Sequence, residues 1–161
     1  MALRDALPPP SELPELEFPA DSMGGRCLDS WRYRWGQRIG DLWLFVPLPP
    51  GATASDVTVT FGTAKLAIQI CGATLHEGPL WCADETRGVN VDTAAWVVVD
   101  AGVDRPVLQL ELHKKKNFMW KAVWEDHPTI EPWEVPFWKN VATEGDGYHV
   151  MCDGDARQTV F

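Results

Sequence analysis

The chain has 161 residues, of which 45% are hydrophobic and 23% are charged, so one domain of ordinary size can bury a core without disulfides or a metal ion. The formal net charge at pH 7 is −9. An acidic chain repels phosphate backbones and anionic lipid, which disfavours binding to nucleic acid or to a membrane surface. No apolar run resembles a signal peptide or a membrane span, so we expect a soluble, cytoplasmic protein.

Charge is distributed unevenly and indicates three segments. Residues 1–30 carry a net charge of −4 and contain LPPPSELPELEFP, a Pro- and Glu-rich composition typical of an extended arm. Residues 31–124 are nearly neutral at +1, and residues 125–161 carry −6. We therefore predict a flexible arm over 1–30, a folded domain over 31–124 and an acidic, aromatic C-terminal extension over 125–161.

Period-two alternation of apolar and polar residues predicts short strands. Ordered structure should begin near Trp31, where Tyr33, Trp35 and Gln37 share one side of a strand. The following segment, DLWLFVPLPPG, is as apolar as a buried strand and must turn at its prolines, because proline has no amide hydrogen for a sheet ladder. Further strands are predicted at 57–61 and 65–70, more weakly at 75–82 and 87–91, and then at 95–99 and 107–114.

Short strands separated by turn signals, without a convincing helical period, predict an all-β fold, a compact antiparallel β-sandwich of seven to eight strands. Prolines 128, 132 and 136 exclude a long helix after Trp120. We expect the tryptophans of that segment to pack on the sandwich; the alternative is an aromatic peptide that engages a partner. The predicted core residues are Leu42, Leu44, Val46, Val57, Val59, Phe61, Leu66, Ile68, Trp96, Val98, Leu108, Leu110 and Leu112.

The order of these motifs resembles the CS domain, which is shared by the co-chaperone p23, the Sgt1 adaptors and the NudC proteins. The resemblance is carried by Tyr33-x-Trp35-x-Gln37, VPLPPG followed by DVTVTF, LAIQI, Leu75-x-x-Gly78-x-Leu80, Trp96 in AAWVVVD, and LQLELHKKKNFMW. YRWGQ and KNFMWKAVWEDHPTIEP are most similar to the NudC branch, and the p23-like ending of tryptophan, proline, a basic residue and leucine is absent. The resemblance implies an HSP20/p23-like sandwich over 31–124, with VPLPPG as the turn between the family's second and third strands.

The resemblance further implies a non-enzymatic co-chaperone or adaptor that binds Hsp90, clients or dynein-pathway motor proteins and assists protein folding. The alternative is a small-heat-shock-like holdase, which binds unfolded proteins and forms large oligomers. Such proteins usually carry a C-terminal I-x-I peptide, whereas the I-x-I string of this chain lies within a predicted strand. We therefore expect a monomer or dimer.

Chemistry-bearing motifs give no support to an enzyme. The four histidines share no H-x-x-x-H spacing, no His and Cys fall in a zinc-ribbon pattern, and neither a GxSxG elbow nor a P-loop is present. The four cysteines show no C-x-x-C spacing and are expected to be free thiols. We expect no catalytic residues, no metal site and no cofactor.

A cluster of cations is the first candidate partner-binding surface. Lys114, Lys115 and Lys116 end the last predicted strand, and Lys121 follows Trp120. The family resemblance places the first and last strands near each other, which would add Arg32 and Arg34. The cluster would either dock an acidic surface or be a solvated strand end that opposes aggregation. Reversing Lys114–Lys116 to glutamate should leave folding intact and weaken partner capture.

Trp43 and Phe45 are the second candidate surface. If the alternate residues of their strand face the core, these two aromatics face outward together, and a soluble monomer rarely leaves such a patch bare. We expect either C-terminal or N-terminal apolar residues to cover it, and the competing interpretation is a partner site. The covering residues would be Trp133, Phe137 and Trp138, or Leu16 and Phe18.

Overall fold

A computed structural model describes residues 7–12, 24–81, 86–100 and 104–130. Within these ranges no helix is long and apolar enough to cross a membrane. The strands are β1 (Gly24–Leu28), β2 (Tyr33–Gln37), β3 (Asp41–Pro47), β4 (Val57–Phe61), β5 (Lys65–Ile70), β6 (Ala73–Pro79), β7 (Ala95–Asp100) and β8 (Pro106–His113). Single 3-10 turns lie at Pro10–Glu12, Asp29–Trp31, Ala54–Asp56 and Val91–Thr93.

The strands form two antiparallel sheets. The larger has the order β1-β2-β3-β8-β7, and the smaller has the order β4-β5-β6. The proline-containing loop after β3 carries the chain from the larger sheet to the smaller one, which is the turn that the sequence predicts. The predicted all-β antiparallel sandwich of seven to eight strands is confirmed.

Successive side chains of a strand point to opposite faces of the sheet, so every second residue can enter the core. Residues paired across neighbouring strands share a face, so these core residues form rows across the sheet. One buried row crosses the larger sheet through Trp35, Leu44 and Leu110 to the partly buried Trp96. Leu66, Ile68 and Ile70 of β5 face this row from the smaller sheet. The predicted core is confirmed: nine of its residues are buried, and Val59, Phe61, Trp96 and Val98 pack against them partly buried.

Two expectations about the strands are wrong. β1 lies within the segment predicted to be a flexible arm, and it pairs with the whole length of β2, so ordered structure begins before Trp31. The weak strand predicted at 87–91 is absent: Val89 makes an isolated bridge to Lys114, and a 3-10 turn follows it. In this segment a single bridge to Lys114 takes the place of the predicted strand.

The segment after β8 packs on the sandwich through residue 130. Trp120 and Trp124 are buried, and Trp124 bridges to Leu80 in an isolated antiparallel pair. His127 Nδ1 lies 2.8 Å from the Tyr33 hydroxyl, and Arg26 donates to the Thr129 carbonyl at 2.7 Å. The predicted packing is confirmed for these two tryptophans, and residues 125–130 belong to the same packed unit. Trp133 and Trp138 lie outside the described residues.

Candidate partner-binding surfaces

Lys114 is buried inside the domain. Its Nζ donates to Gln37 Oε1 at 2.9 Å and to the carbonyl oxygens of Arg38 and Phe118 at 2.7 and 2.8 Å. The Gln37 amide also bonds both backbone groups of Trp120, accepting from N at 2.9 Å and donating to O at 2.7 Å. Burial lowers the pKa of Lys114 well below its usual value, and the Asp41 carboxylate opposes that shift. This Lys114 network fastens the end of β2 to the segment that carries Trp120.

The burial of Lys114 corrects its predicted place in an exposed docking patch. It also corrects the expectation that reversing all three lysines leaves folding intact. A glutamate at position 114 would place a carboxylate against three buried oxygen atoms. An ionised carboxylate has no hydrogen to donate to these acceptors, so they would lose their hydrogen bonds. A test of partner binding must therefore leave Lys114 unchanged.

Lys115 and Lys116 remain on the surface, at the end of the larger sheet. The amide of Lys115 donates to the Gly88 carbonyl at 2.9 Å. Arg38 lies at the same end, in the β2–β3 turn, because Lys114 bonds its carbonyl. We call Arg38, Lys115 and Lys116 the basic corner. Arg38 is not among the cations that the sequence predicted for the cluster. Arg38 lies in the turn between β2 and β3, and the pairing of β3 with β8 places this turn beside the end of β8.

Arg32 and Arg34 do not join the basic corner. β2 runs from Tyr33 to Gln37, a span of roughly 13 Å at the rise of a strand, and Gln37 is the end beside Lys114. Arg32 precedes the opposite end, where its Nε donates to the Leu7 carbonyl at 3.0 Å. Lys121 is half-buried, and its carbonyl accepts from the Ile130 amide at 2.8 Å. The cations predicted to form one cluster therefore do not lie together on one surface.

The outer face of the larger sheet is the side that points away from the core. Pairing places Arg34, Phe45, Gln109 and Val97 in one row. The adjacent row contains Gly36, Trp43, Glu111 and Ala95. The outward orientation predicted for Trp43 and Phe45 is confirmed, since both lie outside the core cluster.

Trp43 and Phe45 are nevertheless largely enclosed, at 8% and 7% exposure. The Arg38 guanidinium lies over the Trp43 ring, 4.8 Å from its centroid, and Trp43 Nε1 donates to Glu111 at 3.3 Å. Val97 on the same face is 51% exposed. The apolar residues predicted to cover the two aromatics (Trp133, Phe137, Trp138, Leu16 and Phe18) lie outside the described residues.

A hydroxyl, an imidazole and a carboxylate come together near the basic corner. His113 Nδ1 lies 3.0 Å from Thr93 Oγ1, and its Nε2 lies 3.5 Å from Glu111 Oε2. The His113 and Glu111 side chains are 39% and 49% exposed, whereas a hydrolytic triad uses a buried carboxylate to orient the imidazole. The described part of the chain contains no group of three or more His, Cys, Asp or Glu placed to hold a metal ion.

The surface cysteine Cys27 has little nucleophilic character. Partial burial and the neighbouring Asp29 carboxylate raise the pKa of Cys27 to about 11. The thiolate is the reactive form of cysteine, so this side chain is a neutral thiol at physiological pH.

The CS domain family model matches residues 31–104. This segment is therefore similar to the CS domain. The fold of the chain agrees with the solved CS domain of the human KIAA1068 protein, with a TM-score of 0.54 and 22% identity over 70% of this chain and 86% of that one. The resemblance to the CS domain that the motifs carry is therefore confirmed.

Two relatives of this chain carry NudC names. The nuclear movement protein nudc of Schizosaccharomyces pombe is 30% identical over 107 residues, which cover 65% of this chain and 60% of that protein. NudC domain-containing protein 2 of Rattus norvegicus is 25% identical over 107 residues, covering 66% and 64%. The match thus spans less than two thirds of either relative. At the family level, NudC-like CS-domain proteins have a co-chaperone-type role and engage other proteins.

Proposed function

We propose that this chain is a non-enzymatic, cytoplasmic co-chaperone or adaptor of the NudC-like type. Its partners would be an Hsp90-type chaperone, a client or a protein of the dynein pathway. The observation that carries the proposal is the match of residues 31–104 to the CS domain, supported by relatives named for NudC. The exposed surface of the larger sheet offers charged and apolar side chains for contact, which suits a binding module.

The basic corner is the proposed docking site. Lys115 and Lys116 are exposed, and Arg38 is held in place by Asp41 at 2.7 Å and by the Trp43 ring. These cations lie close together in a segment, residues 31–124, whose net charge is only +1, so a partner with an acidic surface would be attracted to this corner. Charges at the rim of an interface mainly set the association rate and its salt dependence.

The experiment is direct binding of the immobilised full-length chain to purified Hsp90-type chaperone and to purified dynein-complex proteins. We expect saturable binding of at least one of them, with no change in the partner's covalent structure. An unrelated β-sandwich of similar net charge is the control for nonspecific attraction. Absence of saturable binding to both partners, under conditions where the chain is folded, would contradict the proposed function.

A further inference from the structure

Residues 7–12 lie against the domain as a short peptide would. The Leu7 side chain is 3% exposed and belongs to the core cluster. Pro10 is also buried, and Pro10–Glu12 form one 3-10 turn in which the Glu12 amide donates to the Pro9 carbonyl at 3.1 Å. The leucine and this proline therefore anchor the segment on the domain.

Two charged residues of the β1–β2 turn hold the backbone of this segment. Arg32 donates from Nε to the Leu7 carbonyl at 3.0 Å. Asp29 accepts from the Ser11 amide at 3.0 Å and from the Ser11 hydroxyl, and these bonds lower the pKa of Asp29. Arg32 has a φ of 63°, which is uncommon outside glycine and is tolerated where the surroundings require it. The turn thus presents one donor and one acceptor to the two ends of a peptide.

The segment leaves space unfilled between itself and the domain. A cavity of about 320 Å³ remains beside Pro8 and Glu12, and its domain wall includes Leu48, Pro50 and Pro106. Hydrogen bonds fix this wall, since the Leu48 amide donates to the Pro106 carbonyl at 2.9 Å and the Gly51 amide donates to Asp104 at 2.8 Å. A preformed wall with unfilled volume can accommodate a peptide bulkier than residues 7–12.

We propose that the cleft between the β1–β2 turn and this wall is a peptide-binding site, which residues 7–12 of the same chain occupy here. In trans it accepts a partner peptide that has a leucine, then prolines, and a serine or threonine four residues after the leucine. Backbone contacts from Arg32 and Asp29 would supply affinity, and the leucine pocket would supply specificity. The proline rings fix φ at roughly −65°, which limits the conformations of the free peptide and reduces the entropy lost on binding. The cleft adjoins the β1–β2 turn, at the opposite end of β2 from the basic corner, so it is a separate site.

The test uses the full-length chain and a fluorescein-labelled peptide of sequence RDALPPPSELP, which copies residues 4–14. A tethered competitor acts at an effective concentration on the order of millimolar, so the wild-type chain should bind the probe weakly. Leu7→Ala removes the anchor of the tethered segment, and we expect fluorescence anisotropy to show binding at least tenfold tighter than that of the wild type. Ser11→Glu is a second way to release the segment, because its carboxylate would face Asp29.

Two controls separate recognition of the peptide from a general loosening of the fold. A probe with alanine in place of its leucine should not bind Leu7→Ala, and adding Asp29→Asn to Leu7→Ala should weaken binding of the original probe at least threefold. Equal binding of the probe by the wild type and both releasing variants, or binding by none of them, would overturn the proposal. The proposal would also be overturned if the wild type were a dimer, Leu7→Ala were a monomer and Leu7→Ala did not bind the probe. That result would assign the cleft to a second copy of the chain.

Discussion

Replacing Lys114 by Met should destabilise the domain although it removes a buried charge. The substitution keeps most of the side-chain volume but deletes three hydrogen bonds, to Gln37 and to the carbonyls of Arg38 and Phe118. Each such bond contributes a net ~0.5–1.5 kcal/mol, and an acceptor left unsatisfied costs ~1–3 kcal/mol. Burial of the Lys114 ammonium is itself unfavourable and lowers its pKa. Removing this group therefore offsets part of the stability lost with the hydrogen bonds. We therefore expect the free energy of unfolding to fall by about 2–4 kcal/mol.

The assay is urea denaturation followed by tryptophan fluorescence, because Trp120 is bound to the same network through Gln37. Lys115→Met is the matched control: it is the adjacent, exposed lysine, and a surface change of this kind alters stability by less than about 0.5 kcal/mol. If Lys114→Met and Lys115→Met have the same unfolding free energy as the wild type, the Lys114 network does not stabilise the fold and the reasoning is refuted. A more stable Lys114→Met variant would show that desolvation outweighs the hydrogen bonds.

Three further predictions concern the core, the pH dependence and the assembly state. Leu110→Ala should lower the unfolding free energy by about 2–5 kcal/mol, because Leu110 is 1% exposed; an unchanged melting temperature would contradict its burial. The pKa of Asp29 is lowered in the folded chain, chiefly by the Ser11 hydroxyl, so its stabilising contribution is present above the ordinary carboxyl pKa of about 4 and is lost as pH falls through the lowered value. Between pH 5 and pH 2 the wild type should therefore lose more stability than Asp29→Asn, and parallel curves would contradict this. Size-exclusion chromatography with light scattering should show a monomer or dimer, whereas a large oligomer would favour the holdase alternative.

Alternation in the sequence was sufficient to predict most of the sandwich. The periodic residues of β3, β5 and β8 identify which side chains enter the core, because a strand with one buried face carries that pattern locally. β1 escaped prediction because GGRCL has two glycines and no alternation. Its strand conformation depends on pairing with β2, which is a tertiary contact.

The same alternation contained a signal for Lys114 that a lysine run obscured. Leu108, Leu110 and Leu112 point inward, so the next residue in that series is Lys114. Gln37 likewise follows the inward positions of Tyr33 and Trp35, and a buried amide requires hydrogen-bond partners. The connection between the two polar residues could not be predicted, because it requires knowing which strand ends meet. The docking of residues 7–12 was missed for a similar reason, since composition alone indicated an arm.

Charge reversal at the basic corner tests the proposed adaptor function most directly. Association rates of the purified chaperone or dynein-pathway partner with the full-length chain would be measured at low and at high salt for Lys116→Glu, with Lys65→Glu as the control. Both lysines are exposed, but Lys65 begins β5 in the other sheet. We predict that Lys116→Glu slows association several-fold at low salt, that added salt narrows the difference, and that Lys65→Glu associates like the wild type. Equal association rates for the wild type and both variants would contradict docking through the basic corner.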